Sequence, residues 1–330
     1  LSSDEAFSGT NAITNTSAYK NIIPNQQRLY VRLVNNTTGC FSSQTSFDLI
    51  VNPLPFANSV GNLEICDNNE DGSAQNGFVQ TFDLESQTAT VLGDQDPNQF
   101  TVTYHASETD AEQGILPLLS PFSNSVPFAQ TIYMRVSNEI SGCANGITSF
   151  DVIVNPEPKA LDISNLSACD NEIDGFDTNG IIQNFDLDNE IEAILGPDQS
   201  PSDYTVTFHS TQADATSGDA PLLSPYQNAQ ANQQTIYVRV VDNATGCVND
   251  DLTFELIVDP LPTFTVNPFE IICLNDIPFT LEIQSALTVY DYTWEDDQGN
   301  SYTGEEIEIR NGGTYTVIAS TTDGTNCSRM

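Results

Sequence analysis

The sequence repeats itself, and this repetition constrains the fold more than any other feature. Three similar segments, R-L-Y-V-R-L, T-I-Y-M-R-V and T-I-Y-V-R-V, are each followed by a short turn and end at Cys40, Cys143 and Cys247, which lie 103 and 104 residues apart. Each segment leads into a run such as F-D-V-I-V-N-P-E-P that closes on prolines. Self-similarity at a fixed period of this length is typical of tandem modules that each fold as a unit. We refer to these three cysteines, together with Cys327, as the late cysteines.

A second set of motifs shares the period. C-D-N-N-E-D-G begins at Cys66 and C-D-N-E-I-D-G begins at Cys169, and Cys273 opens a third such segment that then diverges. We refer to Cys66, Cys169 and Cys273 as the early cysteines. The motifs of one period run in the same order in the next, so the repeat has a definable start and end.

The register of the motifs predicts four regions. Residues 1–52 match the C-terminal half of a truncated repeat, and 53–155 and 156–259 match complete repeats. Residues 260–330 open like a repeat and then diverge, which indicates a shorter domain of a related type, also truncated.

Within a repeat the apolar residues alternate as they do in strands. Ile132, Met134 and Val136 share one face of the segment before Cys143, and turn residues punctuate such runs throughout. A helical interruption is predicted at N-E-I-E-A-I-L-G, where Ile194 and Leu195 fall on one face and Gly196 ends the helix. The prolines at the joints favour extended, semi-rigid connections.

The charge excludes several kinds of partner. The chain carries 46 acidic and 8 basic side chains and a formal net charge of −38, so its surface repels nucleic acid and anionic lipid headgroups. No run of 18 apolar residues occurs, and we expect no membrane insertion in this segment. The charge suits either contact with divalent cations outside the cell or solubility alone.

The cysteines indicate disulfides. The seven cysteines form no C-x-x-C pair and only two histidines are present, which argues against zinc or iron–sulfur sites and favours an oxidising compartment. Two pairing schemes fit the spacing. Pairing within domains gives Cys66–Cys143, Cys169–Cys247 and Cys273–Cys327. Pairing across joints gives Cys40–Cys66, Cys143–Cys169 and Cys247–Cys273. We prefer the first scheme, because the divergent last region keeps a cysteine near each of its ends.

The segments after Cys66 and Cys169 are candidate calcium loops, whereas the segment after Cys273 is expected to lack the site. Oxygen-bearing side chains alternate in the candidate loops and end at a glycine, a pattern that can wrap a hard cation. The closing glutamate of an EF-hand is absent, and a solvated turn rich in Asn and Asp is the alternative. The predicted ligands are Asp67, Asn69, Asp71 and the more distant Asp83 in one repeat, and Asp170, Glu172, Asp174 and Asp186 in the next.

Other polar residues recur in register and are interpreted as structural. Arg32, Arg135 and Arg239 each lie eight residues before a late cysteine, and an acid lies eight residues after it. A hairpin centred on the cysteine would pair them across strands as Arg32–Asp48, Arg135–Asp151 and Arg239–Glu255. His105 and His209 are copied once per repeat, and Trp294 is expected in the core of the last domain. No hydrolytic triad, phosphate-binding loop or dinucleotide motif is visible, so we expect no enzyme.

The motif order resembles the tandem repeats of gliding-motility-type surface adhesins of Bacteroidota, which the type IX secretion system exports. The motifs C-D-x-x-x-D-G, F-D-L, T-V-T-[YF]-H, D-A, Y-[MV]-R-V, [ST]-G-C and V-N-P-x-P carry it. They stand at Cys66, Phe82, Thr101, Asp110, Tyr133, Cys143 and Val154, and recur one period later. Residues 260–330 are similar to the PKD- or immunoglobulin-like domains found beside such repeats. The expected fold is all-β, with tandem immunoglobulin-like β-sandwich domains, short helical insertions and the arrangement of an extended rod.

The resemblance implies an extracellular structural or adhesive role at the cell surface. Outer-membrane anchoring would come from a region outside this segment, and the partners would be an unknown surface or glycan and the neighbouring repeats of the same chain. Calcium and disulfides are expected to stiffen the joints. Two alternatives are a subunit of a self-assembled extracellular filament and an array of carbohydrate-binding modules.

Overall fold

The computed structural model describes residues 2–173, 176, 178–267, 271 and 277–330. The chain divides into two compact units, Leu1–Pro156 and Glu157–Met330. Each unit is described by itself below.

Strands form most of the regular structure in the described part of the chain. In unit 1 the strands are β1 (Gln26–Val34), β2 (Phe41–Ile50), β3 (Leu63–Cys66), β4 (Phe100–His105), β5 (Ala129–Asn138) and β6 (Ala144–Asn155). In unit 2 they are β7 (Leu166–Cys169), β8 (Tyr204–His209), β9 (Gln233–Asp242), β10 (Val248–Asn249), β11 (Thr253–Asp259), β12 (Phe279–Glu282), β13 (Tyr290–Asp296), β14 (Ser301–Thr303), β15 (Glu306–Ile309), β16 (Tyr315–Thr321) and β17 (Ser328–Arg329). The α-helices are α1 (Ser3–Ser8), α2 (Thr88–Leu92), α3 (Glu108–Gln113), α4 (Ile191–Leu195) and α5 (Gln212–Ser217).

Each complete repeat is built on one mixed sheet. In unit 1 the strand order is β3-β6-β5-β4, with β3 parallel to β6 and the other pairs antiparallel. In unit 2 the order β7-β11-β9-β8 repeats this topology, and the short β10 also pairs with β9. The short parallel strand that ends at an early cysteine is therefore an edge strand in both repeats.

Alternation of apolar side chains sets which face of the sheet is buried. Along β5, Ile132, Met134 and Val136 are fully buried, whereas the Tyr133 and Arg135 side chains between them are partly exposed. The layer that covers this face consists of short helices and loops, joined in an isolated bridge between Phe82 and Phe122. The equivalent bridge in unit 2 joins Phe185 and Tyr226.

One short helix in this covering layer was predicted and is confirmed. Helix α4 buries Ile194 and Leu195 and ends at Gly196, whose φ is +68°. A Cβ on Gly196 would lie 2.5 Å from Leu161, so the turn requires glycine for space as well as for backbone conformation. The later helices α3 and α5 were not predicted, although Ser107 and Thr211 cap their first turns.

Residues 1–52 show the same hairpin without its covering layer. β1 and β2 form a two-stranded sheet, and Leu33 is 72% exposed where the equivalent Val136 of the complete repeat is fully buried. The apolar pattern of the hairpin is thus the same, but the described sheet of this region has two strands where that of the repeat 53–155 has four.

The last domain has its own core. β13 lies between β14 and β16 in a four-stranded sheet, and β12 pairs with β15 in a second one. Trp294 is buried, and its Nε1 donates to the carbonyl of Gly304 at 3.0 Å. The prediction that this tryptophan fills the core is confirmed, and the strands predicted in Y-D-Y-T-W-E-D and T-Y-T-V-I-A-S are present.

The predicted arginine–acid pairs are wrong. Each acid is opposite a different residue in the strand register, and the observed contacts are Arg28–Asp48, Thr131–Asp151 and Thr235–Glu255. The prediction placed the hairpin centre at the late cysteine. The turn lies earlier in the chain, so each acid lies opposite the residue four positions before the expected arginine.

The three arginines instead hold the ends of short helices. Arg135 Nη1 donates to the carbonyl oxygens of Ala111 and Glu112 at 2.8 and 2.6 Å, at the C-terminus of α3. Arg239 makes the same contacts with α5, and Arg32 with α1. The last carbonyls of a helix lack the full set of intrahelical hydrogen bonds, and a cation is favourable there because the C-terminal end of a helix carries partial negative charge.

Replacing Arg135 by alanine should lower the free energy of unfolding by about 1–3 kcal/mol, because the partly buried bond to the Ala111 carbonyl and the exposed bond to the Glu112 carbonyl are both lost. The matched control is Arg28→Ala, which removes an ion pair whose arginine is 58% exposed and should cost at most about 1 kcal/mol. Urea denaturation of both variants measures the difference. Equal destabilisation by the two variants would contradict the proposed role of Arg135.

Candidate functional site

The early cysteines end a short parallel strand. In unit 2, Cys169 is the last residue of β7 and lies opposite Asp259, the last residue of β11. In unit 1, Cys66 ends β3 opposite Asn155 in the same way. Equivalent backbone pairing therefore places both cysteines at the end of the sheet where the chain leaves the repeat.

The late cysteines close a hairpin turn. In every case a backbone N–H at the end of the preceding strand, or directly after it, donates to the cysteine carbonyl. These bonds are Asn35–Cys40, Asn138–Cys143, Asp242–Cys247 and Thr321–Cys327, with N···O distances of 2.8, 2.8, 2.9 and 2.9 Å. Cys327 of the divergent last domain thus occupies the same turn position as the late cysteines of the repeats.

One disulfide joins an early to a late cysteine across a domain joint. Cys169 of the repeat 156–259 is bonded to Cys327 of the last domain, with a Cα–Cα distance of 5.5 Å. Both pairing schemes from the sequence are therefore wrong for these two cysteines, because neither scheme connects an early cysteine to the late cysteine of the next domain. The bond is a property of how adjacent domains approach, which spacing alone does not reveal.

The remaining cysteines differ in state. Cys66 and Cys247 are disulfide-bonded, whereas Cys40 and Cys143 are free thiols. The predicted Cys66–Cys143 and Cys169–Cys247 bonds are thus both excluded. Cys273 lies outside the described residues.

Acidic groups surround the joint disulfide. The backbone N–H of Asp170, next to Cys169, donates to the carbonyl of Asp259 at 2.9 Å. Burial raises the pKa of the Asp259 carboxyl, and the negative charge of Asp323 raises it further. Hydrogen bonds from the Thr325 side chain and backbone lower the pKa of Asp323 itself. The negative charge of Asp323 therefore disfavours the charged form of the Asp259 carboxyl at this joint.

The first aspartate of each candidate calcium loop serves as a buried staple. Asp67 is 4% exposed, and its Oδ2 accepts the N–H of Gly77 at 2.7 Å while Oδ1 accepts the N–H of Asn68 at 2.9 Å. Asp170 makes the same two bonds with Gly180 and Asn171. The carboxylate closes a loop of the main chain, because it satisfies amides at both ends of that loop.

The other predicted ligands do not gather around these staples. Asn69 is exposed, as is Glu172 in the next repeat. The carboxylates of Asp83 and Asp186 accept hydrogen bonds from Ser120 and Ser224, the residues before two cis prolines. Asp174 lies outside the described residues, and of Asp71 only the backbone is described. In the described part of the chain, no group of three or more His, Cys, Asp or Glu side chains is arranged to hold a metal ion.

Sequence reasoning missed a buried amide network that is repeated in both complete repeats. Asn124 Oδ1 accepts the N–H of Val79 at 2.7 Å, and its Nδ2 donates to the carbonyl of Gly77 at 2.7 Å. Asn228 repeats these bonds with Ile182 and Gly180. The network satisfies loop amides where the covering layer lacks a ladder of paired strands. The sequence signal that could have indicated this network is the asparagine that recurs at the end of L-L-S-P-F-S-N and L-L-S-P-Y-Q-N.

The repeated histidines are structural, as predicted. His105 is fully buried, with Nδ1 2.8 Å from the carbonyl of Ile115 and Nε2 2.9 Å from the Thr103 hydroxyl. The carbonyl requires a donor, so Nδ1 carries the proton and Nε2 accepts the hydroxyl hydrogen. Burial lowers the pKa of His105, which keeps the ring neutral at physiological pH. His209 makes the same contacts with Asp219 and Thr207.

These observations define an all-β protein of tandem immunoglobulin-like domains in which a disulfide spans a domain joint. None of the described helices is long and apolar enough to cross a membrane. The chain belongs to the family described as the Flavobacterium inter-domain disulphide bond domain, whose model matches residues 1–55, 62–158 and 165–262. Family membership and the disulfide together define an extracellular structural repeat.

Comparison with solved structures finds multidomain chains. Immunoglobulin domains 1–4 of Sidekick-1 share 11% identity over 84% of this chain and 70% of that one, with a TM-score of 0.19. Protocadherin Gamma B2 extracellular cadherin domains 1–5 share 12% identity over 92% and 64%, with a TM-score of 0.19. Human CDH23 EC21-23 shares 13% identity over 84% and 98%, with a TM-score of 0.21. A comparison with curated proteins found no match.

Removing the buried staple should destabilise the repeat strongly. We expect Asp67→Ala to lower the free energy of unfolding by about 2–4 kcal/mol, because two backbone amides at the ends of the loop lose a charged acceptor. Asp94→Ala is the matched control, since Asp94 is exposed, and it should change stability by less than about 0.5 kcal/mol. Urea denaturation in the presence of a chelator gives the comparison. A neutral Asp67→Ala variant would show that the loop does not depend on the staple.

Proposed function

We propose that this chain is a structural and adhesive segment of a large bacterial cell-surface protein whose domain joints are covalently reinforced. The observation that carries the proposal is the Cys169–Cys327 bond, which connects two domains that have separate cores. A disulfide in this position leaves each fold unchanged and restricts the separation of neighbours. Such a bond is useful in a chain that transmits force. It would contribute nothing to a catalytic centre.

The adhesive part of the proposal concerns gliding motility or attachment after export by the type IX secretion system. Its support is the resemblance of the repeat motifs to gliding-motility-type adhesins, together with family membership. Anchoring at the outer membrane would be supplied by another region of the protein. The surface or glycan that the protein contacts would have to tolerate a net charge of −38.

The charge also supports an extracellular role for the repeats as separated modules. Neighbouring repeats that are all strongly acidic repel each other and resist collapse onto one another. Repulsion acts over about 8–10 Å at physiological ionic strength, so it keeps surfaces apart without determining the joint itself. A covalent bond at the joint then holds the domains together against this repulsion.

The proposed location and role can be tested in the source bacterium. Antibodies against the purified chain should label intact cells, and external protease should remove the label. Deletion of the gene should reduce attachment to glass and spreading on agar by several-fold. Reintroduction of the unaltered gene should restore both, and a Cys169→Ser/Cys327→Ser copy should restore them only in part. Label that appears only after permeabilisation, or a deletion strain with unchanged attachment and spreading, would contradict the proposal.

Calcium remains part of the proposal on the strength of the sequence pattern alone. The pattern supplies Asp71 and Asp174 as ligands. The buried Asp67 and Asp170 fix the conformation of the loop by accepting hydrogen bonds from its backbone amides. The arrangement of described side chains gives this part of the proposal no further support.

Calcium binding to the native state would stabilise it by about 2.7 kcal/mol when free calcium is a hundred times the Kd. We therefore expect the midpoint of thermal unfolding to rise by several degrees on changing from chelator to millimolar calcium. Asp71→Asn/Asp174→Asn should abolish the increase, whereas magnesium at the same concentration should not reproduce it. A midpoint that is the same with chelator and with calcium would remove calcium from the proposal.

A further inference from the structure

We infer that each complete repeat contains a mechanical clamp, formed where its first strand runs parallel to its last strand, and that this clamp bears tension along the chain in shear. The clamp consists of β3 and β6 in the repeat 53–155 and of β7 and β11 in the repeat 156–259. The inference rests on the proposed function and deepens it, because it names the part of each fold that carries the load.

The direction of the two strands decides how they are loaded. Tension is passed to β3 at its first residue, Leu63, and leaves β6 at its last residue, Asn155. Because the strands are parallel, Leu63 lies opposite Val152 and Cys66 lies opposite Asn155. The two loaded points are therefore at opposite ends of the strand pair. Tension slides one strand along the other, so the evenly spaced hydrogen bonds between them must break together.

Hydrogen bonds beyond the paired residues lengthen this clamp at both ends. Before β3, the Asn62 Oδ1 accepts the N–H of Asp151 at 3.0 Å. After β3, the N–H of Asp67 donates to the carbonyl of Asn155 at 2.7 Å. The buried carboxylate of Asp67 also accepts the N–H of Gly77, which attaches the strand end to the following loop. The short strand is thus held at each end as well as along its length.

The second repeat has the same arrangement. The strand β7 pairs with β11 in parallel, with Cys169 opposite Asp259. The Asn165 Oδ1 accepts the N–H of Glu255 at 2.9 Å, and the N–H of Asp170 donates to the carbonyl of Asp259 at 2.9 Å. The paired strands differ in side chains, L-E-I-C against L-S-A-C, but the flanking asparagine and aspartate recur. The polar ends of the clamp are therefore common to both repeats.

The segment that leads into the clamp of the repeat 53–155 is held by separate contacts. The side-chain amide of Gln95 accepts the N–H of Phe56 at 3.2 Å and donates to its carbonyl at 2.7 Å, at the exposed surface. Further along, the N–H of Asn58 donates to the carbonyl of Val91 at 3.0 Å. Because these contacts follow one another along the chain, tension breaks them in turn and then reaches β3.

The described strands outside the two repeats lack this geometry. In residues 1–52 the hairpin is antiparallel and Gln26 lies opposite Ile50, so the chain enters and leaves at the same end. Tension there separates one residue pair after another. In the last domain the described strands pair only in antiparallel fashion, and β12, the first of them, pairs with β15 and not with β17. We therefore expect the repeats to resist more force than either flanking region.

Pulling on the full chain by its two ends, with reductant present, tests the inference. The two repeats should unfold last as the force is raised, at forces several-fold above those of the other regions. The released length assigns each event, because an extended chain reaches about 3.3–3.6 Å per residue and the repeats are longer than residues 1–52 or 260–330. Repeats that unfold at the same force as the last domain, or before it, would overturn the inference.

A pair of variants separates the loaded bonds from general stability. Asn62→Ala removes the bond to the N–H of Asp151, and the unfolding rate of one repeat at a fixed force should rise about five-fold, because this bond is broken in the transition state. Thr131→Ala is the matched control. It removes an exposed bond to the side chain of the same Asp151, in the antiparallel pair β5–β6, and should leave the rate unchanged.

The repeat 156–259 is an internal reference in the same molecule, and urea denaturation shows whether each variant folds. Equal acceleration by the two variants, or no acceleration by Asn62→Ala, would contradict the clamp. The comparison between regions of the unaltered chain holds even if a variant does not fold.

Pulling without reductant separates the inference from the function on which it rests. The Cys169–Cys327 bond encloses most of the repeat 156–259 and of the last domain, so these regions should release little length until reductant is added. If reductant does not change the released length, the covalently reinforced joint is wrong, and the forces in the reduced chain still decide on the clamp. If reductant increases the length but the repeats unfold at low force, the clamp is wrong and the reinforced joint stands.

Discussion

Burial of one face of a four-stranded sheet supplies the free energy on which each repeat depends. Burying a Val, Ile or Met side chain stabilises the fold by about 1.5–3 kcal/mol, and β5 alone buries Ile132, Met134 and Val136 completely. The opposite layer is made of short helices and loops, so its backbone amides need partners other than a strand ladder. The buried Asp67 and Asn124 provide these partners. The polar residues that recur in register are therefore part of the fold, and each complete repeat has a hydrophobic core of its own.

When neighbouring domains have separate cores, the joint between them is the place where an array is least held together by packing. The Cys169–Cys327 bond addresses that weakness, because it connects residues 158 positions apart and belonging to different cores. A loop of this size corresponds to about 5 kcal/mol in the chain-entropy account of disulfides. This stabilisation applies to the association of the two domains and not to the folding of either one. A bond within one repeat would have stabilised the domain and left the joint unchanged.

Local features of the sequence predicted local structure well. The alternation around Met134 gave the buried face of β5, and the spacing of Ile194, Leu195 and Gly196 gave α4. Trp294 was expected in a core and is there. Helix α3 could have been found from the capping residue Ser107 and the stop at Gly114. Each of these features depends on side chains a few residues apart, which is the range over which sequence pattern and backbone geometry are directly linked.

Non-local features were predicted poorly, for a physical reason. The register of each hairpin depends on where its turn lies, and a turn that precedes the late cysteine moved every expected arginine–acid pair to a different partner. The sequence by itself determined the repeat, the strand faces, the acidic surface and the presence of oxidised cysteines. Only the tertiary structure decided which cysteines are paired in disulfides, because a disulfide forms where the Cα atoms of two cysteines approach within about 4.4–6.8 Å. That approach is set by the packing of whole domains, which no spacing of cysteines along the chain encodes.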